Sequence, residues 1–309
     1  MRYRGRMKLI IDTDPGIDDA MAIAYAAAAP EFDLVGLTTV FGNTHVEQSS
    51  RNARYLAHRL GLDVPVASGA GVARGAAGHV PSRHVHGDEG FGDLTEIPEI
   101  GQNHGLPAAE FLVEMARRHG KDLTVCAVGP LTNIADAMRL DPDFAGNIGQ
   151  LVIMGGAVFC PGNINAHAEA NIFHDPVAAD EVFSTPAPTV LVGLDVTLKT
   201  LYRADDFESL ARSAPETGGF LRDISRFYLN FYREVAGLDG CGLHDSTAVI
   251  ACSHRSMFDL HETGLRVALD GEARGATRPD PTRPPVLVCA DVNGDQVVDL
   301  FTQRVATLP

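Results

Sequence analysis

The sequence predicts an α/β protein: an open, mostly parallel, doubly wound sheet of Rossmann-like form with helices on both faces, in a single domain over residues 1–309. Three observations lead there. Short apolar runs rich in Val, Ile and Leu recur along the chain, as strands buried on both faces require. Segments with helical apolar spacing separate them, so crossovers rather than hairpins join the strands. Polar residues that sit oddly among apolar neighbours fall just after the runs, at the carboxyl edge where such sheets hold ligands.

The first strand is Leu9-Ile-Ile11. Pro15-Gly16 then forces a turn, and Asp19-Ala-Met-Ala-Ile-Ala-Tyr-Ala has the propensity of a helix with an acidic first turn. Runs at 34–40 and 64–67 continue the sheet, with an amphipathic stretch at 46–60 between them. A helix at 108–119 leads into a strand at 123–128, a helix at 131–139 into 151–154, and a helix at 176–183 into 189–194. Helices at 204–211, 217–235 and 246–252 precede strands at 265–269 and 286–290. The segment Arg278-Pro-Asp-Pro-Thr-Arg-Pro-Pro285 is a surface loop before that last strand and a closing helix, since too little chain follows it to make a domain. Asn293-Gly294 marks the turn out of the last strand. Asp291-Val-Asn293-Gly-Asp295 imitates the start of an EF-hand calcium loop. Gln296 stands where that loop needs glycine and Thr302 where it needs a bidentate Glu, so no cage closes.

With 45% hydrophobic and 21% charged residues, the 309-residue chain can bury a sizeable core. Its 40 acids against 25 Lys and Arg give a formal charge of −15, which speaks against a nucleic-acid partner and tolerates a small neutral or cationic one. Five cysteines, widely spaced and mostly inside apolar runs such as Leu123-Thr-Val-Cys126-Ala-Val128, point to reduced thiols in a cytoplasmic protein. Only about four apolar residues separate the basic N-terminus from Asp12, too few for a secretory signal or a membrane span.

The most informative stretch is Asp12-Thr-Asp14-Pro-Gly-Ile-Asp18-Asp19, with four carboxylates within eight residues where the first strand gives way to a helix. Like charges this close raise one another's pKa unless a cation joins them, and hard carboxylate oxygens suit Ca2+ or Mg2+. Asp18 and Asp19 could equally cap a crossover helix, whereas Asp12 and Asp14 stand at the strand end itself. Other polar residues follow other strands: Phe41-Gly-Asn43, Val128-Gly-Pro-Leu-Thr-Asn133, Met154-Gly-Gly, the loop Asn163-Ile-Asn165-Ala-His167-Ala-Glu169-Ala-Asn171, and His244-Asp245 opening a late helix. Each alone is ordinary, since an isolated Asn-Ile-Asn usually satisfies its own loop and a His before Asp commonly caps a helix. On one edge of one sheet they converge above the acidic stretch.

The block Asp12-Thr-Asp14-Pro-Gly-Ile-Asp18-Asp19-Ala resembles the N-terminal signature of the inosine-uridine preferring nucleoside hydrolases, which split ribonucleosides into ribose and free base. Phe41-Gly-Asn43, His86-Gly87, Gly129-Pro-Leu-Thr-Asn133, Met154-Gly-Gly with Glu169-Ala-Asn171, and His244-Asp245 occur in that family's order, so the resemblance covers nearly the whole chain. It implies that Asp14, Asp19, Asp245 and the backbone carbonyl of Val128 hold Ca2+, together with the ribose 2′- and 3′-hydroxyls and the attacking water. Asp14 would be the general base on that water. Asp18, Asn43, Asn163, Glu169 and Asn171 would grip the ribose, with Met154 beneath it. His86 would line the base pocket and His244 would be the acid at the departing base. The resemblance also implies a part in nucleoside salvage and a homodimer or homotetramer.

The chemistry suits these residue types. Cleaving an N-glycosidic bond passes through a ribosyl cation, which carboxylates and amide oxygens stabilise. Calcium would lower the pKa of bound water and fix the vicinal diol, and a histidine titrating near neutrality is the natural donor to the leaving base. The chain has no Trp, so the indole platform of the purine-specific branch is missing, which favours a broad or pyrimidine-leaning enzyme. Tyr228 and Tyr232, one helical turn apart, are spaced either to cap the base pocket or to pack in the core. The loop at Phe159-Cys160-Pro161 is longer than the family norm, and Ala170 replaces the aromatic residue that many relatives set beside the sugar. Two rival readings stand beside this one. Asp-Thr-Asp after an apolar strand also resembles the nucleophile motif of haloacid-dehalogenase-like, Mg2+-dependent phosphatases. There, however, Gly16 stands where Thr or Val is wanted, and Asp18-Asp19 would have no role. A non-catalytic nucleoside or ribose sensor on the same fold is the other, against which intact Asp14 and His244 speak.

Overall fold

The computed structural model describes residues 5–309. Strands β1 (Met7–Thr13), β2 (Phe32–Thr39), β3 (Val66–Ser68), β4 (Leu123–Ala127), β5 (Gln150–Met154) and β6 (Thr189–Val192) lie in the order β3-β2-β1-β4-β5-β6. β7 (Leu201–Tyr202) and β8 (Cys241–Gly242) make a small separate ribbon. The main sheet is completed to eight strands by β9 (Phe258–Thr263) and β12 (Val286–Val292), while β10 (Leu265–Val267) and β11 (Thr277–Pro279) pair only with each other. All neighbours in the main sheet run parallel except β9, which lies antiparallel on β12. The protein is therefore an α/β fold on a mostly parallel, doubly wound sheet.

The apolar runs fall where burial demands them. Leu9, Ile10 and Ile11 are fully buried, with Leu9 and Ile11 in one core layer and Ile10 in the other. The first layer packs helices Ile17–Ala28, Thr217–Phe231, His244–Ser253 and Gly294–Val305; the second packs Ala108–His119, Thr132–Leu140 and Pro176–Ser184. Each such side chain contributes about 1.5–3 kcal/mol by leaving water. The chain builds β1, β2 and β3 outward on one side, then returns to lay β4 against the other flank of β1. That reversal opens a crevice at the carboxyl ends of β1 and β4. Asp12 pairs with Ala127, and Val128 N donates to Asp12 O at 2.7 Å, so Val128 and Asp14 leave the sheet side by side.

Several elements differ from the sequence reading. The apolar run at 265–269 joins the β10–β11 ribbon instead of the sheet, and the edge is β9, whose residues 259–262 are all exposed and, apart from Leu260, polar. An edge strand needs only one buried contact and so lacks the apolar run. The helix expected over 217–235 ends at Phe231, followed by a π turn at Tyr232–Ala236 that closes on Gly237 with φ +65°. The short helices Arg83–His86, Ala170–His174 and Leu194–Thr197 are one turn each, too brief to show a period. Asn293 caps the helix Gly294–Val305 by accepting from Gln296 N at 3.3 Å, so Asn293-Gly294 is a helix start, not a turn between extended segments. Asp295 and Asp299 lie on that helix, and the residues that imitate a calcium loop never form one. All five cysteines are free thiols, and no helix among the described residues is long and apolar enough to cross a membrane.

Candidate active site

The turn after β1 is built around Asp19. Its Oδ1 accepts from the Thr13 hydroxyl and from Asp14 N at 3.2 Å, and its Oδ2 from Gly16 N at 2.9 Å and Asn43 Nδ2 at 3.0 Å. The third residue of helix Ile17–Ala28 thus reaches back to its own cap, which fixes the elbow that the sequence encodes as Pro-Gly before two acids. Asp14 is held on one side only: Asn43 N donates to Oδ2 at 2.7 Å, and Oδ1 has no partner among the described residues. A Cβ on Gly42 would lie 1.9 Å from Oδ2, and one on Gly129 2.8 Å from Oδ1. Glycine at both positions is what lets the two loops close on this carboxylate. Asp18 accepts from the Tyr228 hydroxyl at 3.1 Å through Oδ2, while its Oδ1 is unpartnered and 3.8 Å from His86 Nδ1.

Asp18, Asp19 and Asp245 present oxygens within 4.8 Å of one another, all buried. Burial first, then mutual repulsion, pushes Asp14 and Asp245 well above the usual carboxylate range. Burial first, joined at Asp19 by the charge of Asp18, pushes Asp18 and Asp19 up to about 6. A buried group of carboxylates with two orphaned oxygens is an unfavourable arrangement unless a hard divalent cation neutralises it, and these residues fit one. The resemblance placed Asp14, Asp19, Asp245 and the Val128 carbonyl around the ion. The compact group in the structure is Asp18, Asp19 and Asp245; Asp14 stands outside it, near enough for the charges of Asp19 and Asp18 to act on its carboxyl.

A second set of the residues singled out in the sequence hangs on the ends of β4 and β5. Glu169 caps helix Ala170–His174, accepting from Asn171 N at 2.8 Å and Ile172 N at 3.1 Å, and also ties down Gly156 N at 2.9 Å. Asn171 Nδ2 donates to Val128 O at 2.9 Å and lies 3.3 Å from both the carbonyl and the Sδ of Met154. The Val128 carbonyl keeps a second lone pair for another partner. Asn163 stands apart. It lies exposed in its loop and its side-chain oxygen accepts from Ala170 N at 3.0 Å, which is the ordinary loop-satisfying role.

His86 accepts at Nδ1 from Ile17 N at 3.2 Å and its ring lies 5.3 Å from that of Tyr228. His244 is bonded at both nitrogens: Nε2 to the Tyr232 hydroxyl and Nδ1 to the Thr197 hydroxyl at 2.7 Å. The Tyr228 and Tyr232 hydroxyls are 3.4 Å apart. The tyrosine pair is therefore buried and joined to the site at once. One expectation is corrected here. Neither histidine titrates near neutrality, because burial pushes both His86 and His244 down to about 4.

A family model for the inosine-uridine preferring nucleoside hydrolases matches residues 9–299. The chain belongs to this family. As a nucleoside hydrolase it is 39% identical to the probable uridine nucleosidase 2 of Arabidopsis thaliana, over 98% of this chain and 99% of that one. It is similar in structure to a plant nucleoside hydrolase with a TM-score of 0.94, at 35% identity over 97% of this chain and 99% of that chain. It also resembles a purine-preferring ribonucleoside hydrolase from Gardnerella vaginalis with a TM-score of 0.93, at 37% identity over 97% of this chain and 98% of that chain.

The phosphatase reading fails on this geometry. Its nucleophile would be Asp12, yet Asp12 is fully buried, accepting from the Thr38 hydroxyl and from Asn133 Nδ2 at 2.8 Å, and burial pushes it up to about 7. Asn133 also donates to Thr39 O at 2.9 Å and accepts from Ala70 N at 2.9 Å, so in this nucleoside hydrolase it is a brace across β1, β2 and the loop after β3. Asn133→Ala leaves the Asp12 carboxyl with one partner. It should cost about 2–4 kcal/mol in denaturant unfolding, and a value near zero would remove Asn133 from this structural role.

Sequence reasoning missed Thr197 and a group of histidines beside the site. Thr197 closes Gly193-Leu-Asp-Val-Thr197 directly after β6, and that position at the ligand edge was the available signal. His79 bonds the Gly42 carbonyl through Nε2 at 2.7 Å, and its ring sits 5.3 Å from that of His174, whose Nδ1 is buried without a partner. Burial first, then the neighbouring His79, pushes His174 down to about 3. Its folded value is depressed, so its contribution to stability is present above the unfolded pKa of about 6.5 and is lost as pH falls toward about 3. Between about pH 7 and 4 the His174→Leu protein should accordingly lose less melting temperature than the parent. Equal losses would show that this ring is not an acid-sensitive point.

Proposed function

We propose that this nucleoside hydrolase is calcium-dependent and cleaves ribonucleosides to ribose and free base with Asp14 as general base, and that its base specificity is broad or pyrimidine-leaning. The observation that carries the reading is the orphaned Asp14 Oδ1 on a buried carboxyl that the neighbouring acids Asp19 and Asp18 repel, at the switch point of the sheet. Asp14, Asp19, Asp245 and the Val128 carbonyl are the residues that would hold Ca2+, with Asp18 beside them. When bound, the ion would acidify water and anchor the sugar diol. Asp14 Oδ1 is free to accept the proton of the attacking water, because Oδ2 alone carries the bond from Asn43. Asp18, Asn43, Glu169 and Asn171 supply oxygens that favour the ribosyl cation, with Met154 as the apolar floor and Asn163 at the rim.

At the other end His86 and Tyr232 wall the base, and His244 faces its departure. His244 would supply the hydrogen to the base as the C1′–N bond lengthens and the bonding pair moves onto the base, giving up its bond to the Tyr232 hydroxyl to do so. Base preference is not fixed by the fold, since a uridine nucleosidase and a purine-preferring hydrolase match this chain about equally well. The absence of Trp is what favours the pyrimidine side. Five free thiols suit the cytoplasm, and the enzyme is taken to act as one domain within a homodimer or homotetramer. A panel of uridine, cytidine, inosine, adenosine and guanosine, read as kcat/KM with and without chelator, tests all of this. Turnover that ignores the chelator, or a strict preference for purines, would overturn the corresponding part.

A further inference from the structure

The Gly42–Asn43 peptide is bonded at both of its polar atoms. Its carbonyl meets His79 Nε2 at 2.7 Å, and its N–H donates to Asp14 Oδ2 at 2.7 Å. A carbonyl oxygen only accepts and an amide N–H only donates, so both directions follow without assigning a charge to any carboxylate. The hydrogen in the first bond is on His79 Nε2. One flat unit thus joins an imidazole on a neighbouring loop to the carboxyl whose Oδ1 has no partner among the described residues. Because a peptide is planar, the donor that fixes its carbonyl also fixes the aim of its N–H, and polarising the one strengthens the other.

We propose that His79 is a positioning residue for the reaction: through the Gly42–Asn43 peptide it sets the rotation of the Asp14 carboxyl, holding Oδ2 and leaving Oδ1 for the water. The proposal rests on the reading of Asp14 given above. No other donor among the described residues reaches the Gly42 carbonyl. The peptide and the carboxyl are packed so closely, with a Cβ on Gly42 placed 1.9 Å from Oδ2, that one cannot turn without moving the other. His79 is itself well placed. Its ring stands edge-on to those of Phe41 at 4.8 Å and His174 at 5.3 Å. Its loop is pinned at Arg74, whose backbone N donates to Asp175 at 3.1 Å and whose guanidinium pairs with Asp136 and Glu181.

The test reads kcat and KM on uridine with Ca2+ present, and hydrogen exchange of the Asn43 amide in the metal-free protein. His79→Phe keeps a ring among its neighbours and removes the donor. It should lower kcat roughly 10-fold, within the ~10²-fold that a small misplacement of a reacting group costs, while KM moves less and exchange at Asn43 speeds up. His79→Gln, which keeps an N–H to give, should recover most of both. His79→Ala carries the same expectation as Phe and decides the matter if the phenylalanine protein does not fold. In an Asp14→Asn background the His79 substitutions should cost nothing further in kcat. A loss that repeats in full in that background, a loss confined to KM, or unchanged exchange at Asn43 would overturn the proposal. Asp14→Asn alone separates the two readings. If it keeps near-parental turnover, Asp14 is not the base and both readings fail. If it loses turnover as expected and the His79 variants keep the parental kcat, the role of His79 alone fails.

Discussion

Asp14→Asn should lower turnover on uridine by about 10²- to 10⁴-fold, or further if the cation is lost as well, while KM moves little by comparison. The amide keeps the shape of the side chain and can still accept the bond from Asn43 N through its oxygen. What it loses is the basic, unpartnered Oδ1. The same substitution should not weaken the fold. A carboxylate held well above its ordinary range by burial and by Asp19 is a strained group, so removing its charge eases the metal-free protein. The paired outcome, lost turnover with an unchanged or higher melting temperature under chelator, separates a general base from a structural acid. Near-parental turnover would dismiss Asp14 from the chemistry, and a lower melting temperature would dismiss the account of its strain.

Stripping divalent cations should abolish turnover, and adding Ca2+ should restore it while raising the melting temperature. Binding to the folded state alone stabilises by about 2.7 kcal/mol at 100 times the dissociation constant. The effect is expected to be large because Asp18, Asp19 and Asp245 are buried together, with Asp14 acting on them, and among the described residues no Lys or Arg is bonded to any of the four. Mg2+ should be the poorer replacement, since it demands tight octahedral geometry while this set offers spread carboxylates and a carbonyl. Full activity in chelator would mean that the acids are neutralised by protons alone and that the water is activated without an ion.

The sheet and the elbow were legible because their causes are local. Leu9 to Ile11 are apolar on both faces, Pro15-Gly16 breaks the chain, and the acids at Asp18 and Asp19 suit the positive end of a helix. The loops that meet above them could be gathered because strand ends in such a sheet share one edge. What the chain did not disclose was decided across the fold. Asp12 and Asp14 look alike in sequence and each keeps one unpartnered oxygen; only the approach of Thr38 and Asn133 to the first, and of Asn43 N to the second, tells them apart. The titration of His244 depends on burial by distant elements, which no local pattern records. Thr197 sits on a single turn of helix after β6, where its place at the ligand edge is the one signal and its neighbours add none. β9 escaped notice because only Phe258 and Leu260 in it are apolar, too few to show a strand period.

A line of buried hydrogen bonds runs from Thr197, on the turn after β6, through His244, Tyr232 and Tyr228 to Asp18 at the elbow after β1. On the proposed reading one end of it meets the pentose and its middle meets the nucleobase. A group that competes for Asp18 would then be felt, through two phenols, at the imidazole. A change in one half of the substrate would register in how the other half is handled.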